Sequence, residues 1–178
     1  KKAFQRFLGP QTKPKHVYAD NSEEFKLSMT ELEYSHDTST PHRPQTNGIA
    51  ERAVRRVKEG TSCALHQSGL TDKWWVSAMK CYCFLHCIVT QMFHGKTAYK
   101  QRFKKEFAGP IIPYGAAVEY LPITKKDKAK CHKLGGKLLK GIFLGYVQHA
   151  GGGWTGDLRV IDQEEINEAT LVSEVYPK

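Results

Sequence analysis

The chain has 178 residues, with 27 Lys and Arg against 18 Asp and Glu, a formal net charge of +9. Hydrophobic residues at 40% and charged residues at 25% place it with globular chains of one large or two small domains, not with disordered or fibrous ones. The longest apolar stretch, Cys81 to Met92, is interrupted by His86, Thr90 and Gln91 and is too short and too polar to span a bilayer, so no membrane partner is expected.

Ala3 to Leu8 carries Phe4, Phe7 and Leu8 at helical spacing and stops at Gly9-Pro10. His16 to Ala19 reads as a short strand ending at Asp20, Glu23 to Glu33 as a helix, and Tyr34 to Thr40 as a second strand. Pro41 and Pro44 then enforce an extended loop. A long helix starts between Gln45 and Gly48 and runs to about Ser68, with Gly69 as its terminator. Thr71-Asp72 caps the next helix, which extends to about Phe93 with Trp74, Ala78, Tyr82, Leu85 and Val89 as its apolar stripe.

From about Lys104 the pattern changes to short alternating runs at Ala117–Ile123, Gly141–Gln148 and Leu158–Ile161, with a weaker one at Thr170–Val175. A basic connector, Lys125 to Lys140, holds seven lysines and one acid and reads as a phosphate-binding segment, a nuclear-localisation patch or a solvated loop. The basic surplus peaks here, with ten basic and three acidic residues in 101–140. It favours a polyanionic partner, nucleic acid first, over a merely soluble basic protein. Gly151 to Gly156 lacks the Gly-Lys-Ser/Thr ending of a phosphate loop and reads as a hairpin turn anchored by Trp154.

Five cysteines, an odd number in a chain of this length, argue against a disulfide framework and for a reducing, intracellular compartment. Cys83, His86 and Cys87 have no second pair at zinc-finger spacing and are read as reduced core residues.

Asp20 closes a strand and Glu51 lies in the first turns of the long helix, with thirty residues between them. Two such carboxylates suit a hard cation such as Mg²⁺, which takes one or two protein carboxylates and leaves room for substrate oxygens. The plain alternative is two surface charges. At ~100° per residue, Asn47 and Arg55 fall about 40° from Glu51 and Lys58 about 20° from it, while Ala53, Val57 and Ala64 face a core. Glu51 then sits in a cationic stripe able to follow a phosphate backbone, or forms an ordinary Glu-to-Arg pair worth only ~0.3–0.5 kcal/mol.

The segments VYADNSEEF and TSTPHRPQTNGIAERAVRRVKE resemble the second half of the catalytic core of retroviral-type integrases, particularly those of the Pol polyproteins of Copia-type LTR retrotransposons. PYGAAVEY, KGIFLGYV and GGGWTGDLRVID resemble the segment that follows the core in the same polyproteins. The resemblance implies an α/β fold: an incomplete RNase H-like core over residues 1–103, then a small, mostly-β, barrel-like domain over 104–178. It implies DNA integration by metal-dependent phosphoryl transfer, 3′-end processing and strand transfer, using an Asp-Asp-Glu triad and two Mg²⁺ or Mn²⁺ ions. Asp20 matches the second acid and Glu51 the third, both as catalytic residues and as metal ligands. Asn47, Arg55 and Lys58 match positions that contact DNA, and Lys125, Lys126 and Lys128 in the connector are added as DNA-binding candidates.

The implied partners are retroelement ends and target DNA, the rest of the Pol polyprotein, and further copies of the chain in a homo-oligomer. The implied location is the nucleus or a cytoplasmic retroelement particle. The sequence departs from the family pattern in three respects. None of the nineteen residues before Asp20 is Asp or Glu, so the first acid and its strands are expected upstream. The spacing of thirty is shorter than the family's, and Ser22 stands where Gly is common. The expectation is an enzyme segment inactive by itself, with a non-catalytic basic nucleic-acid-binding module derived from a retroelement as the rival reading and a multimer-forming piece as the third.

Overall fold

The computed structural model describes residues 1–10, 12–40, 47–92 and 94–168, with backbone alone at Asn167 and Glu168. Chain order is α1 (Lys2–Leu8), β1 (Val17–Ala19), α2 (Glu23–Leu32), β2 (His36–Thr38), α3 (Gly48–Ser68), a 3-10 turn (Asp72–Trp74), α4 (Trp75–Val89), α5 (Ala98–Phe103), β3 (Ala117–Tyr120), α6 (Lys125–Lys130), β4 (Leu139–Gln148), β5 (Trp154–Asp162) and α7 (Gln163–Glu168). The architecture is mixed helix and sheet. The expected Pro41-Pro44 loop, the Gln45-Thr46 helix start, Phe93 and the run Thr170–Val175 lie outside the described residues.

The chain forms two compact units, Lys1–Val57 with Gln148–Thr155, and Lys58–Val147 with Gly156–Lys178. The second unit takes in the C-terminal half of α3, all of α4 and α5, and the bulk of β3 to β5.

In the first unit β1 and β2 pair in parallel, Val17 with His36, Tyr18 with Asp37 and Ala19 with Thr38. Parallel neighbours need a crossover of a dozen or more residues, and α2 supplies it. Both strands alternate half-buried, exposed, half-buried, as the two-residue period of a sheet with one covered face requires. Met29 of α2 is fully buried, and Phe25 meets Phe4 of α1 edge to face at 5.9 Å. Glu33 closes α2 in the left-handed conformation (φ 55°), and its N–H returns to the last carbonyls of the helix. Gly151 N donates to Arg6 O at 2.8 Å, and Gly9, at φ 74°, lies so close to Gly151 that an added Cβ would stand 2.9 Å from its Cα.

The second unit is built on α4. Its buried residues are Ala78, Cys81, Phe84 and Ile88, while Trp74 and Tyr82 are half-buried and Val89 is exposed. The buried face is therefore turned from the expected stripe by roughly 65° at ~100° per residue. The reason is the sheet. Strands β3, β4 and β5 lie in that order, with β3 antiparallel to β4, and β4 runs against α4. Gly145 (φ 136°) brings the β4 backbone to Cys81, where an added Cβ would stand 3.3 Å from the Cys81 Cβ. Phe84 packs on Tyr146 at 4.6 Å, on Phe107 at 5.6 Å and on Tyr99 of α5 at 6.1 Å. Four consecutive β4 residues, Phe143 to Tyr146, are buried, the pattern of a strand covered on both faces. The described strands make a three-stranded sheet that shares its core with α4 and α5.

Tyr114 Oη lies 2.7 Å from Ser77 Oγ, and Tyr146 Oη donates to Pro110 O at 2.9 Å, so both buried phenols are satisfied. Burial is the main cause pushing both phenols above their ordinary pKa. Gly115 holds φ 79°, and an added Cβ would stand 2.1 Å from the Ser68 Cβ and 2.8 Å from its Cα. Left-handed strain and a clash with helix backbone act together there. Gly115→Ala is expected to destabilise by about 2 kcal/mol, read as a lower denaturant midpoint with an unchanged slope.

Candidate nucleic-acid interface

Asp20 follows the last residue of β1, at the carboxyl end of a parallel strand, and is exposed. In open α/β sheets that end is where ligands are met. Ser39 N donates to Ala19 O at 2.9 Å and fixes the backbone just before Asp20. Glu51 lies in the first turn of α3 and is also exposed. Both belong to the first unit, and among the described residues neither carboxylate makes a hydrogen bond or ion pair.

A first helical turn carries unsatisfied N–H groups and a partial positive charge, which favour an anionic side chain there. Asn47, half-buried, precedes the first residue of α3. Arg55 and Lys58 are exposed and, among the described residues, unpaired; no Glu51–Arg55 ion pair forms. Arg52, which the sequence reading passed over, folds back so that its Nε donates to Gly48 O at 3.1 Å. Ala53, expected to face a core, is exposed, while Val57 and Ala64 are half-buried as expected. Thr61 is the buried residue of this helix.

No group of three or more His, Cys, Asp or Glu side chains able to hold a metal occurs among the described residues. In number alone, Asp20 and Glu51 match the one or two protein carboxylates that Mg²⁺ ordinarily takes. They do not fit the two-ion clamp that the family resemblance implies, which needs a further carboxylate to bridge ions ~3.5–4 Å apart.

The basic connector is ordered at its start by α6. Thr124 caps that helix, its Oγ1 accepting from Asp127 N at 3.1 Å and donating to Asp127 Oδ2 at 2.7 Å. Asp127 is fully buried, while Lys125, Lys126 and Lys128 are exposed and, among the described residues, unpaired. Lys130 turns to the sheet, where its Nζ meets Asp162 Oδ2 at 3.1 Å and Glu164 Oε2 at 3.4 Å.

Asp162, 2% exposed, also accepts from Tyr120 Oη at 2.8 Å, from Glu164 N at 2.9 Å and from Glu165 N at 3.3 Å. It is the N-cap of α7. Burial alone would raise its pKa, but the hydrogen bonds from Tyr120, Lys130 and the two backbone N–H groups hold it below the usual carboxylate value. Burial likewise works against the Lys130 charge, and the bonds to Asp162 and Glu164 prevail and raise its pKa. Sequence reading missed this centre. Its signal was present, since Asp162-Gln163-Glu164-Glu165 has the spacing of a capping box.

All five cysteines are free. Cys81 is buried, and burial pushes its thiol up to about 12. Cys83 is half-buried, and Cys87 is exposed rather than in the core as expected. Burial is the largest cause raising both of their thiols, which leaves them poor nucleophiles.

No family model matches the chain. Among solved structures it is similar to a chain in the cryo-EM structure of the simian T-cell lymphotropic virus intasome in complex with PP2A regulatory subunit B56 gamma. Identity is 19% and the TM-score 0.39, over 84% of this chain and 51% of that chain. The match thus spans about half the length of the intasome chain. A likeness at that level identifies neither the fold nor the chemistry of this chain. No described helix is long and apolar enough to cross a membrane.

Proposed function

We propose that this chain is the second half of a retroviral-type integrase core from a Copia-type Pol polyprotein, with its following segment, and that it contributes to DNA integration. In the intact protein the chemistry is metal-dependent phosphoryl transfer. Asp20 and Glu51 supply two of the three carboxylates that the family's triad needs. Asn47, Arg55 and Lys58 hold the DNA end, and Lys125, Lys126 and Lys128 add phosphate contacts. The partners are DNA, the rest of the polyprotein and further copies of the chain, in the nucleus or a retroelement particle.

One observation carries the reading: an exposed carboxylate at the carboxyl end of a parallel strand, unpaired among the described residues, lies in the same compact unit as one in the first turn of a cation-bearing helix. Mg²⁺ or Mn²⁺, when bound, would supply polarisation of phosphate oxygens. The residues of this chain hold one such ion and steer the backbone. A non-catalytic nucleic-acid-binding module is the second reading. It is favoured by the exposed lysines of α6, which belong to the unit that holds neither Asp20 nor Glu51.

A salt titration of labelled duplex DNA tests the shared part. Each phosphate contact adds about 0.9 to the slope of log affinity against log salt. Replacing Arg55 and Lys58 by Ala is expected to shallow that slope by up to about 2. Glu51→Gln is expected to leave binding intact or slightly tighter. An unchanged slope in the double variant removes α3 from the DNA surface. Joining assays on the chain alone are expected to show no Mg²⁺-dependent end processing or strand transfer, and robust joining would refute the need for a third carboxylate.

A further inference from the structure

We propose that Asp162 is a positioning residue that clamps the basic helix α6 onto the sheet and so sets the polyanion affinity of a face it does not itself form. The proposal rests on the reading of Lys125, Lys126 and Lys128 as phosphate contacts. It names the residue that controls them.

The geometry is specific. One buried carboxylate gathers four donors from three places: the Tyr120 hydroxyl at the end of β3, the Lys130 ammonium at the end of α6, and the Glu164 and Glu165 N–H groups at the start of α7. Lys130 is the last residue of α6, three positions after buried Asp127. Asp127 is buried and Lys130 reaches its ammonium back to Asp162, while Lys125, Lys126 and Lys128 are exposed with, among the described residues, no ion pair. Six residues are too few for a helix to hold by itself in water. Two points anchor it, Thr124 with buried Asp127 toward its start and Lys130 at its end. Release of Lys130 leaves one anchor, and the ordering entropy then exceeds the small gain from each surface phosphate contact, so fewer of the three lysines engage phosphates in the complex.

The clamp and plain electrostatics predict opposite signs. Removal of a carboxylate charge from a basic protein should tighten polyanion binding. If Asp162 positions α6, Asp162→Asn should weaken it. A fluorescent duplex oligonucleotide is titrated across a salt series with five proteins besides the wild type. The triple variant with Lys125, Lys126 and Lys128 changed to Ala is expected to shallow the slope by up to about 2.7. Asp162→Asn is expected to reproduce most of that change.

Lys130→Gln serves where Asp162→Asn fails to fold. It is expected to shallow the slope by more than the 0.9 or so that one lost contact explains, and Lys130→Arg, which keeps the ion pair, is expected to restore it. Gly115→Ala, destabilised without touching the clamp, is expected to bind with the wild-type slope. Unchanged or tighter binding by Asp162→Asn, while the triple variant loses slope, overturns the clamp and leaves the nucleic-acid reading standing. A triple variant that binds as the wild type does removes α6 from the interface and overturns both.

Discussion

Phe84→Ala is expected to be the most damaging single truncation in the described chain, costing about 3–5 kcal/mol. Phe84 is 4% exposed and meets three other rings: Tyr99 at 6.1 Å and Phe107 at 5.6 Å, both edge to face, and Tyr146 at 4.6 Å. Tyr99 also packs on Phe103 at 4.6 Å, and Tyr146 on Phe143 at 5.2 Å, so the cluster joins α4, α5 and β4. Its removal forfeits transfer energy and leaves a cavity that three aromatic walls close only in part. For a domain of this size each 1 kcal/mol lowers Tm by roughly 2–4 °C, so a drop of roughly 10 °C is expected by calorimetry. Leu134→Ala, at a side chain 94% exposed, is the matched control and should fall within about 0.5 kcal/mol of the wild type. A Phe84 variant as stable as the Leu134 variant would mean that the sheet does not pack on α4.

Asp162→Ala comes next, with an expected loss of about 2–4 kcal/mol from a missing helix cap and several donors left without their acceptor. Its pH dependence has a definite sign. The folded carboxyl has a lowered pKa, so it binds its proton less tightly than the unfolded chain does. Its contribution is therefore complete above the unfolded pKa of about 3.9 and disappears as pH falls through the folded value. Lys130 acts in the opposite direction. Its folded pKa is raised, so its contribution is complete below an unfolded pKa of about 10.4 and disappears as pH rises through the folded value. Wild type and Asp162→Asn should differ most in denaturant midpoint across the plateau between these limits, and the difference should shrink below about pH 4. A difference that grows on acidification would contradict the pairing.

The long elements were legible because their apolar spacing is sustained. The structure places α3 at Gly48–Ser68, against an expected end at about Ser68, and α2 at Glu23–Leu32, against Glu23 to Glu33. The parallel pairing of β1 with β2 was not legible, since three-residue strands carry no register. The short helices α5, α6 and α7 were missed because six residues hold no readable period. Two carry a side-chain N-cap at the first turn: Thr97 Oγ1 accepts from Lys100 N and Thr124 Oγ1 from Asp127 N, each at 3.1 Å. Asp162 does the same for α7, and reading caps before periods would have found all three.

Strand β5 begins at Trp154 rather than Leu158 because Gly156, at φ 104°, sits within the strand where the composition suggested a turn. The stripe of α4 was misplaced because apolar residues surround most of that helix, and β4 rather than the sequence pattern selects the buried side. The candidate acids were placed by motif: their strand-end and helix-start positions follow from the sequence, while their exposure required coordinates.

Adding Mn²⁺ to the isotopically labelled chain and following paramagnetic broadening of backbone amide signals tests the proposed sharing of one cation by Asp20 and Glu51. The account predicts that signals around Asp20 and around Glu51 broaden together at the same Mn²⁺ concentration, and that either Asp20→Asn or Glu51→Gln abolishes broadening at both. Broadening that persists at one position when the other is replaced, or that centres instead on Glu23 and Glu24, would contradict a shared site.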